Sequence, residues 1–193
     1  MNYEIFQAIN QNAGHQPLLD GLMVFFTQFA FPLFALVLLL MWFLGKEKEK
    51  YTVVYAAITA VTALVVNMIL GHIFYENRPF VTHHVNLLVQ HVKDSSFPSD
   101  HATGTFSIAL AILWRKHRKI GIGMLLFAIC TGISRVYVGN HYPFDVLASI
   151  IVSIVVSGLV FSLQSFFAPV GRVIISIYNR IPLMPKNKQS ISK

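Results

Sequence analysis

Long apolar runs separated by short polar segments divide the chain. The run from Leu22 to Leu44 contains no formally charged residue. As an α-helix rising 1.5 Å per residue it would extend about 35 Å, enough to cross a bilayer core of about 30 Å. Similar runs predict spans over residues 52–75, 98–114, 120–138 and 144–167. Because lipid offers no partner for exposed backbone groups, the pattern predicts an all-α polytopic membrane protein, a single domain built as a bundle of about five transmembrane helices.

Weaker, amphipathic segments flank these spans. In residues 3–13, apolar side chains alternate with asparagine and glutamine, and Gly14 and Pro17 end the segment. Residues 171–181 form a second such segment, ahead of a basic tail over residues 182–193. Amphipathic helices of low net hydrophobicity lie in the membrane interface and do not cross it. We therefore expect an interfacial helix at each end of the domain.

Composition excludes several classes of protein. Hydrophobic residues make up 55% of the chain and charged residues only 12%, whereas soluble proteins have roughly 25% charged residues. The single cysteine, Cys130, excludes a disulfide framework within the chain and a site of several thiolate ligands. The net charge is +7, but the basic residues are not gathered in an aromatic-lined groove, so no binding to nucleic acid is expected.

The distribution of basic residues predicts the orientation in the membrane. With five spans, twelve of the fifteen Lys and Arg residues fall on one side, in the first loop, the third loop and the C-terminal segment. Only Arg78, Lys93 and Arg135 fall on the other side. Because basic residues are enriched in cytoplasmic loops, we expect a multi-pass protein with a cytoplasmic C-terminus. The loops over residues 76–97 and 139–143 then face outward together.

That outward face gathers side chains suited to phosphate chemistry. They are two arginines, two histidines, two serines and an aspartate from separate stretches of sequence: Arg78, Ser99, His101, Ser134, Arg135, His141 and Asp145. Guanidinium groups hold phosphate oxygens in a bidentate fashion and stay charged. Pro98 and Ser99 are typical of a helix start, where free backbone N–H groups also attract anions. We expect both arginines and both serines to bind the phosphate.

The two histidines suit covalent catalysis. A histidine oriented by a carboxylate can act as a nucleophile, and His141 with Asp145 fits this pairing. The second imidazole, His101, would protonate the leaving oxygen as a general acid, because imidazole titrates near neutral pH. The expected intermediate is a phosphohistidine that water then hydrolyses. No metal and no other cofactor is expected, because two arginines and a helix N-terminus stabilise the negative charge.

Each of these residues also has a structural interpretation when taken alone. Arg78 can end a helix and reach the lipid headgroups, and Asp145 can complement a helix dipole. Ser99 can serve only as a helix cap. A metal site in the outward loop is a weaker alternative to a solvated loop, although that loop holds His83, His84, His91 and Asp94. The joint pattern favours catalysis.

Three stretches of the chain form a specific pattern. They are Glu-Asn-Arg-Pro at residues 76–79, Phe-Pro-Ser-Asp-His at 97–101, and the stretch 134–145, which begins Ser-Arg. In the last stretch five residues separate Arg135 from His141 and three separate His141 from Asp145. This pattern resembles the type 2 phosphatidic acid phosphatase superfamily of membrane phosphatases. Within that superfamily the chain is similar to undecaprenyl-diphosphatases of the bacitracin-resistance type.

The resemblance implies a polyprenyl diphosphate lipid as the substrate. The expected reaction converts undecaprenyl diphosphate to undecaprenyl phosphate and phosphate at the extracytoplasmic face of a bacterial cell membrane. It implies recycling of the lipid carrier for peptidoglycan synthesis, and bacitracin resistance. One alternative is a broader lipid phosphatase acting on phosphatidate or phosphatidylglycerol phosphate. Another is an anion transporter, which would place ionisable residues at mid-membrane in two broken repeats. No oligomeric state follows from the sequence.

Two positions depart from the superfamily pattern. The superfamily has a lysine seven residues before the arginine of the first stretch, where this chain has Gly71. One phosphate-binding cation is therefore missing. The second stretch usually has a glycine where this chain has Asp100, which adds a negative charge beside the site. Both departures argue against broad use of monophosphates.

Overall fold

The computed structural model describes residues 1–182, which form eight helices and no strand. The all-α prediction is confirmed. The predicted basic tail over residues 182–193 lies outside the described residues except for Pro182. The helices of the described part are α1 (Asn2–Asn10), α2 (Pro17–Leu44), α3 (Glu47–Ile73), α4 (Pro79–Thr82), α5 (Asp100–Trp114), α6 (Arg118–Tyr137), α7 (Pro143–Ser162) and α8 (Gln164–Arg180).

Four of the described helices, α2, α3, α6 and α7, are long and apolar enough to cross a membrane. Large apolar side chains project outward from each of them, including Leu39, Val65, Leu126 and Ile151. Such exposure is expected of helices surrounded by lipid. Pro17 begins α2 in its first turn, where the missing N–H of proline removes no helical hydrogen bond.

The predicted span over residues 98–114 corresponds to α5, which differs from the other four. It has 15 residues, which cover about 22 Å at 1.5 Å per residue. It packs against α3, α6 and α7 in the centre of the bundle, and most of its residues are buried. This helix is therefore surrounded mainly by protein.

Hydroxyl side chains line the seam between α5 and α7. The Ser149 hydroxyl donates to the carbonyl of Ser99 at 3.0 Å, and the Ser153 hydroxyl donates to the carbonyl of Thr103 at 3.1 Å. Small residues let two helix backbones approach closely, and their hydroxyls bond across the interface. The seam therefore brings the N-terminus of α5, which Ser99 caps, against the first turn of α7, which contains Asp145.

The helix is interrupted at Leu163, between α7 and α8, although the apolar pattern predicted one continuous span through residue 167. Two side chains hold the break. The Tyr55 hydroxyl donates to the carbonyl of Gln164 at 2.5 Å, and Arg115 donates to Oε1 of Gln164 at 3.1 Å. The helix α8 then continues to Arg180, so the predicted interfacial segment over residues 171–181 forms the later part of a longer helix.

Two loops, residues 74–99 and 138–142, meet at one end of the bundle, and we call these loops together with the last turn of α6 the loop end. Asn10 of α1 joins them. Its Nδ2 donates to the carbonyls of Asn86, at 2.9 Å, and Tyr137, at 2.8 Å, and its Oδ1 accepts from the N–H of Asn86 at 2.9 Å. Gly139 has a φ of +90°, and an added Cβ would lie 3.1 Å from the carbonyl oxygen of Asn86. Glycine meets both constraints because it has no Cβ.

The opposite end, which we call the basic end, holds residues 45–46, 115–117 and α8. The Arg115 guanidinium lies 4.7 Å from the ring centre of Tyr55. Trp114 stacks on Phe161 with ring centres 5.1 Å apart. Arg118, in the first turn of α6, is exposed. The side predicted to be cytoplasmic therefore corresponds to one end of the bundle and the candidate site to the other.

Candidate active site

His141 is buried in the loop between α6 and α7. Its Nδ1 lies 2.8 Å from the carbonyl oxygen of Ser96, and because a carbonyl only accepts, Nδ1 carries the proton. Its Nε2 lies 2.9 Å from Nη1 of Arg78, which only donates. Burial lowers the pKa of His141 well below its usual value, and the charges of Arg135 and Arg78 lower it further. These contacts fix a neutral imidazole with its lone pair on Nε2.

Arg78 lies between α3 and α4 and contacts two other segments of the loop end. Its Nε donates to Oδ1 of Asp94 at 2.7 Å, and its Nη1 also donates to the carbonyl of Asn140 at 3.1 Å. Partial burial raises the pKa of Asp94, but the hydrogen bond and charge of Arg78 outweigh it, so the pKa is lowered overall. Arg78 is 4% exposed and Asp94 is 54% exposed, so a buried guanidinium is paired with a carboxylate that faces solvent.

Asp145, in the first turn of α7, is linked to His141 through Ser96. Its Oδ2 lies 3.5 Å from Nδ1 of His141, longer than an ordinary hydrogen bond. The same oxygen accepts from the Ser96 hydroxyl at 2.5 Å and from the N–H of Tyr142 at 2.8 Å. Because the Ser96 carbonyl accepts from the His141 ring, Ser96 connects the carboxylate and the imidazole. The structure therefore places Asp145 beside His141, as predicted, but with a serine between them.

A second carboxyl group, Glu76, lies near Asp145. Burial raises the pKa of Glu76, and the neighbouring Asp145 carboxyl raises it further. The backbone of Glu76 is fixed, because its carbonyl accepts from the N–H of Ser96 at 2.7 Å. Asn77 and Ser95 form an isolated antiparallel bridge next to it. This short pairing holds the segment with Arg78 against the segment with Ser96.

Arg135, near the C-terminal end of α6, is 1% exposed. Its Nε and Nη2 are buried, and among residues 1–182 they have no hydrogen-bond partner. Buried polar groups are normally paired, and an unpaired buried charge is costly. The carbonyl of Arg135 accepts from the N–H groups of Asn140 and His141 at 3.1 and 3.2 Å. The free guanidinium N–H groups are therefore donors, placed next to His141, that suit the oxygens of an anion.

Ser99 and His101 lie at the start of α5. The Ser99 hydroxyl caps the helix by accepting from the N–H of Ala102 at 3.5 Å, and its own N–H lies 3.5 Å from the carbonyl of Asp145. The His101 ring centre lies 4.7 Å from that of Phe31 and 6.5 Å from that of His91. The structure thus brings Ser99 against Asp145 and places His101 at the edge of the cluster, without a direct hydrogen bond to His141 in the described part of the chain.

Ser134 faces α2. Its hydroxyl donates to the carbonyl of Thr131 at 2.7 Å and lies 2.9 Å from the Thr27 hydroxyl. Consecutive residues of an α-helix point about 100° apart, so Ser134 and Arg135 project from different faces of α6. The structure places the Ser134 hydroxyl in the packing between α2 and α6 and not among the groups around His141.

The histidines of the long loop diverge. His83 stacks on Tyr3 with ring centres 3.9 Å apart, whereas His91 lies at the candidate site. Burial lowers the pKa of His91, and the charge of Arg78 lowers it further. Within the residues that the structure describes, no three His, Cys, Asp or Glu side chains converge as metal ligands. The expectation of a metal-free site remains a prediction.

Sequence reasoning missed Ser96 and considered Asp94 only as a possible metal ligand. Ser96 contacts the His141 ring through its backbone carbonyl, a group that every residue type carries. Asp94 acts by pairing with Arg78 across a loop, and no fixed spacing in the sequence marks such a pair. The one signal for Ser96 was its position directly before the stretch 97–101.

The two departures from the superfamily pattern lie together at the loop end of α3. A Cβ added to Gly71 would lie 3.0 Å from the carbonyl oxygen of Phe97. The Asp100 carboxylate accepts from Nδ2 of Asn67 at 2.9 Å. Both positions border a cavity of about 470 Å³ whose wall also contains Lys93 and Asp94. Asp100 is therefore held by α3.

The bundle and its buried arginine, histidine and aspartate groups define a class of membrane phosphatase. Residues 50–168 match the model of the PAP2 superfamily. That range includes every predicted site residue, and the chain belongs to this superfamily.

Three similar proteins narrow the class. The chain is 43% identical to undecaprenyl-diphosphatase BcrC of Bacillus subtilis (strain 168), over 94% of this chain and 93% of that one. It is 30% identical to the bacitracin transport permease protein BcrC of Bacillus licheniformis, over 100% of this chain and 96% of that one. The crystal structure of Aquifex aeolicus LpxE superposes with a TM-score of 0.62, at 31% identity, over 82% of this chain and 93% of that one.

Proposed function

We propose that the chain is an undecaprenyl-diphosphatase that converts undecaprenyl diphosphate to undecaprenyl phosphate and inorganic phosphate. The observation that carries this function is the buried Arg135 guanidinium, whose Nε and Nη2 have no partner among residues 1–182 and whose charge acts on the neutral His141 ring. A cation with free donors beside a neutral nucleophile suits an incoming phosphate. The similarity to the Bacillus subtilis enzyme over nearly the whole chain supports the choice of lipid.

In the first step, Nε2 of His141 attacks the terminal phosphorus. The bond from that phosphorus to the bridging oxygen breaks, and undecaprenyl phosphate leaves after His101 protonates the bridging oxygen. Arg78, whose Nη1 now lies 2.9 Å from Nε2, and Arg135 hold the terminal oxygens as charge develops on them. The His141 ring acquires a positive charge in this step. Asp145 stabilises that charge through Ser96, which bonds to both residues.

In the second step, water attacks the phosphohistidine. His101, which has given up its proton, takes one from the water, and the oxygen of the water joins the phosphorus as the bond to Nε2 breaks. The products are inorganic phosphate and neutral His141. The two rings do not touch each other in the described structure. A phosphate group can therefore lie between them and react with His141 on one side and with His101 on the other.

The active site faces the extracytoplasmic side, and the C-terminus lies in the cytoplasm. The segregation of basic residues supports this orientation, because the loop end carries only Arg78, Lys93 and Arg135. The isoprenoid stays in the bilayer while its headgroup enters the loop end. Hydrolysis there returns the lipid carrier to peptidoglycan synthesis and removes the diphosphate that bacitracin sequesters.

The test is phosphate release from undecaprenyl diphosphate by the purified full chain in detergent with EDTA. We expect release by the wild type and a loss of about 10³-fold or more in His141→Ala, because removing a nucleophile disables the whole catalytic unit. His84→Ala, an exposed histidine of the same loop end, is the matched control and should match the wild type. No release by folded wild-type protein would contradict the proposal.

Two further measurements separate the alternatives. Turnover of phosphatidate with a kcat/KM equal to that for undecaprenyl diphosphate would indicate a broader lipid phosphatase. Anion flux through proteoliposomes without phosphate release would indicate a transporter. We expect neither result, because the candidate-site side chains lie together at one end of the bundle, whereas a transporter would carry such side chains at mid-membrane.

A further inference from the structure

His91 lies next to both catalytic histidines of the proposed mechanism. Its ring centre is 6.5 Å from that of His141 and 6.5 Å from that of His101. The three rings come from three separate segments: the long loop, the α6–α7 loop and the first turn of α5. No step of the hydrolysis described above uses His91.

The orientation of the His91 ring is set by its Nδ1. That atom lies 3.2 Å from the carbonyl oxygen of Val92 and 3.6 Å from Oδ1 of Asp94. The same carboxylate oxygen accepts from Nε of Arg78 at 2.7 Å. The ring is therefore tied to the guanidinium that contacts His141, and its other nitrogen, Nε2, remains for a ligand. The side chain of His91 is 22% exposed, so a ligand that enters from solvent can reach it.

A diphosphate headgroup has two phosphates, and the groups already assigned account for one of them. Arg78, Arg135 and His141 surround the terminal phosphate, which is the one attacked. Its neighbour, the phosphate joined to the lipid, must lie beyond the bridging oxygen and close to His101, which protonates that oxygen. The ring centre of His91 is 6.5 Å from each of the other two ring centres. With hydrogen bonds of about 2.8 Å, a single diphosphate group can therefore contact all three histidines.

We propose that His91 recognises the second, lipid-linked phosphate and so sets the preference for diphosphates over monophosphates. This inference rests on the proposed function and deepens it. On binding of the anionic headgroup the His91 ring takes up a proton, and its Nε2 then donates a charge-assisted hydrogen bond to an oxygen of that phosphate. Loss of the His91 contact should therefore weaken the binding only of ligands that have a second phosphate.

Direct binding by the full chain in detergent tests this assignment. The probes are methylenediphosphonate, which has two linked phosphorus centres and is not hydrolysed, and orthophosphate, which has one. Calorimetric titration should show that His91→Gln weakens binding of methylenediphosphonate about 10-fold, as expected for one hydrogen bond to a charged group. Binding of orthophosphate should change by less than about 2-fold, because its contacts come from the arginines and His141.

His84→Gln is the matched control, since it makes the same substitution at an exposed histidine of the same loop, and it should bind both probes as the wild type does. Unchanged binding of both probes by His91→Gln would overturn the proposal. An equal loss for the two probes would overturn it as well, because that result would mark a general effect on the site.

The outcome is separable from that of the proposed function. If the wild type releases phosphate from undecaprenyl diphosphate while His91→Gln keeps the wild-type ratio of the two affinities, only the assignment of His91 fails. If the wild type releases no phosphate but the ratio changes as expected, a site for two linked phosphates stands and the hydrolytic function fails.

Discussion

The loop end and the basic end of the bundle both carry arginines, but the two ends hold them differently. At the loop end, Arg78 and Arg135 are 4% and 1% exposed. Arg78 is bound to three other residues, whereas Nε and Nη2 of Arg135 have no partner within residues 1–182. At the basic end, Arg118 is exposed to solvent. The residue type is the same at both ends, and the difference between the arginines of the two ends is how deeply they are buried.

The difference shows how burial determines what a charge can do. In water, a pair of charges about 4 Å apart interacts by only about 1 kcal/mol, and salt weakens this further. Away from water the same charges interact several times more strongly. We therefore expect exposed arginines at the basic end to act together, through their number, on the orientation of the protein in the membrane. Under the proposed function, the buried arginines at the loop end act singly, through their geometry, on a ligand.

Among the substitutions that test this comparison of the two ends, the largest expected effect comes from one that keeps the charge of Arg135 and removes its planar group. Arg135→Lys should lower kcat/KM for undecaprenyl diphosphate about 10²-fold, because a lysine cannot supply the two N–H groups that Nε and Nη2 offer to phosphate oxygens. The measurement is phosphate release at several substrate concentrations. Arg118→Lys is the matched control at the basic end. Equal kcat/KM in both variants would remove the distinction between the two ends.

A smaller effect is expected at Ser96, which touches no substrate in the proposed mechanism. Ser96→Ala removes the hydroxyl that binds Oδ2 of Asp145 and leaves the carbonyl that binds His141. We expect kcat to fall about 10-fold, as for one hydrogen bond to a charged group, with KM unchanged. Ser95→Ala serves as the control, since its hydroxyl bonds to the carbonyl of Phe97. A change in KM alone would show that Ser96 acts on binding.

The smallest effect is expected at the basic end. The double variant Arg118→Gln, Lys119→Gln removes two exposed charges and should leave phosphate release within about 2-fold of wild type, since exposed charges contribute little to stability. The remaining basic residues of that side keep the orientation. A protease-protection assay of the position of the C-terminus would detect inversion. A large loss of turnover without inversion would show that the two ends are coupled.

The sequence predicted the helices well because a lipid solvent makes the pattern simple. Every uncharged run of about 20 residues has only one satisfactory conformation in lipid, and the runs beginning at Leu22 and Thr52 fall within α2 and α3 over most of their lengths. The interruption of the helix at Leu163 is not visible in the apolar pattern of the sequence. It depends on Tyr55 and Arg115, which bond to Gln164 from other helices, and the local pattern contains no trace of these partners.

The candidate site was predicted in part for a related reason. Arg78, Arg135, His141 and Asp145 have side chains that few other residue types can replace, and their spacing along the chain is itself informative. Ser134 belongs to the same motif as Arg135, but its side chain projects from a different face of α6, because consecutive residues of a helix point about 100° apart. Ser96 and Asp94 enter the site through the path of the long loop, and a loop path follows from tertiary contacts and not from local pattern.

Asn10 has a consequence for how the protein folds. Its side chain bonds to residues that lie 76 and 127 positions away along the chain. Contacts of such long sequence separation form only after the chain between them has closed on itself, which is slow. The loop with His141 follows Tyr137 directly, so we expect it to reach its final shape late, when α1 docks against α6. One of the first residues made therefore finds its partners only after the chain has been made as far as α6.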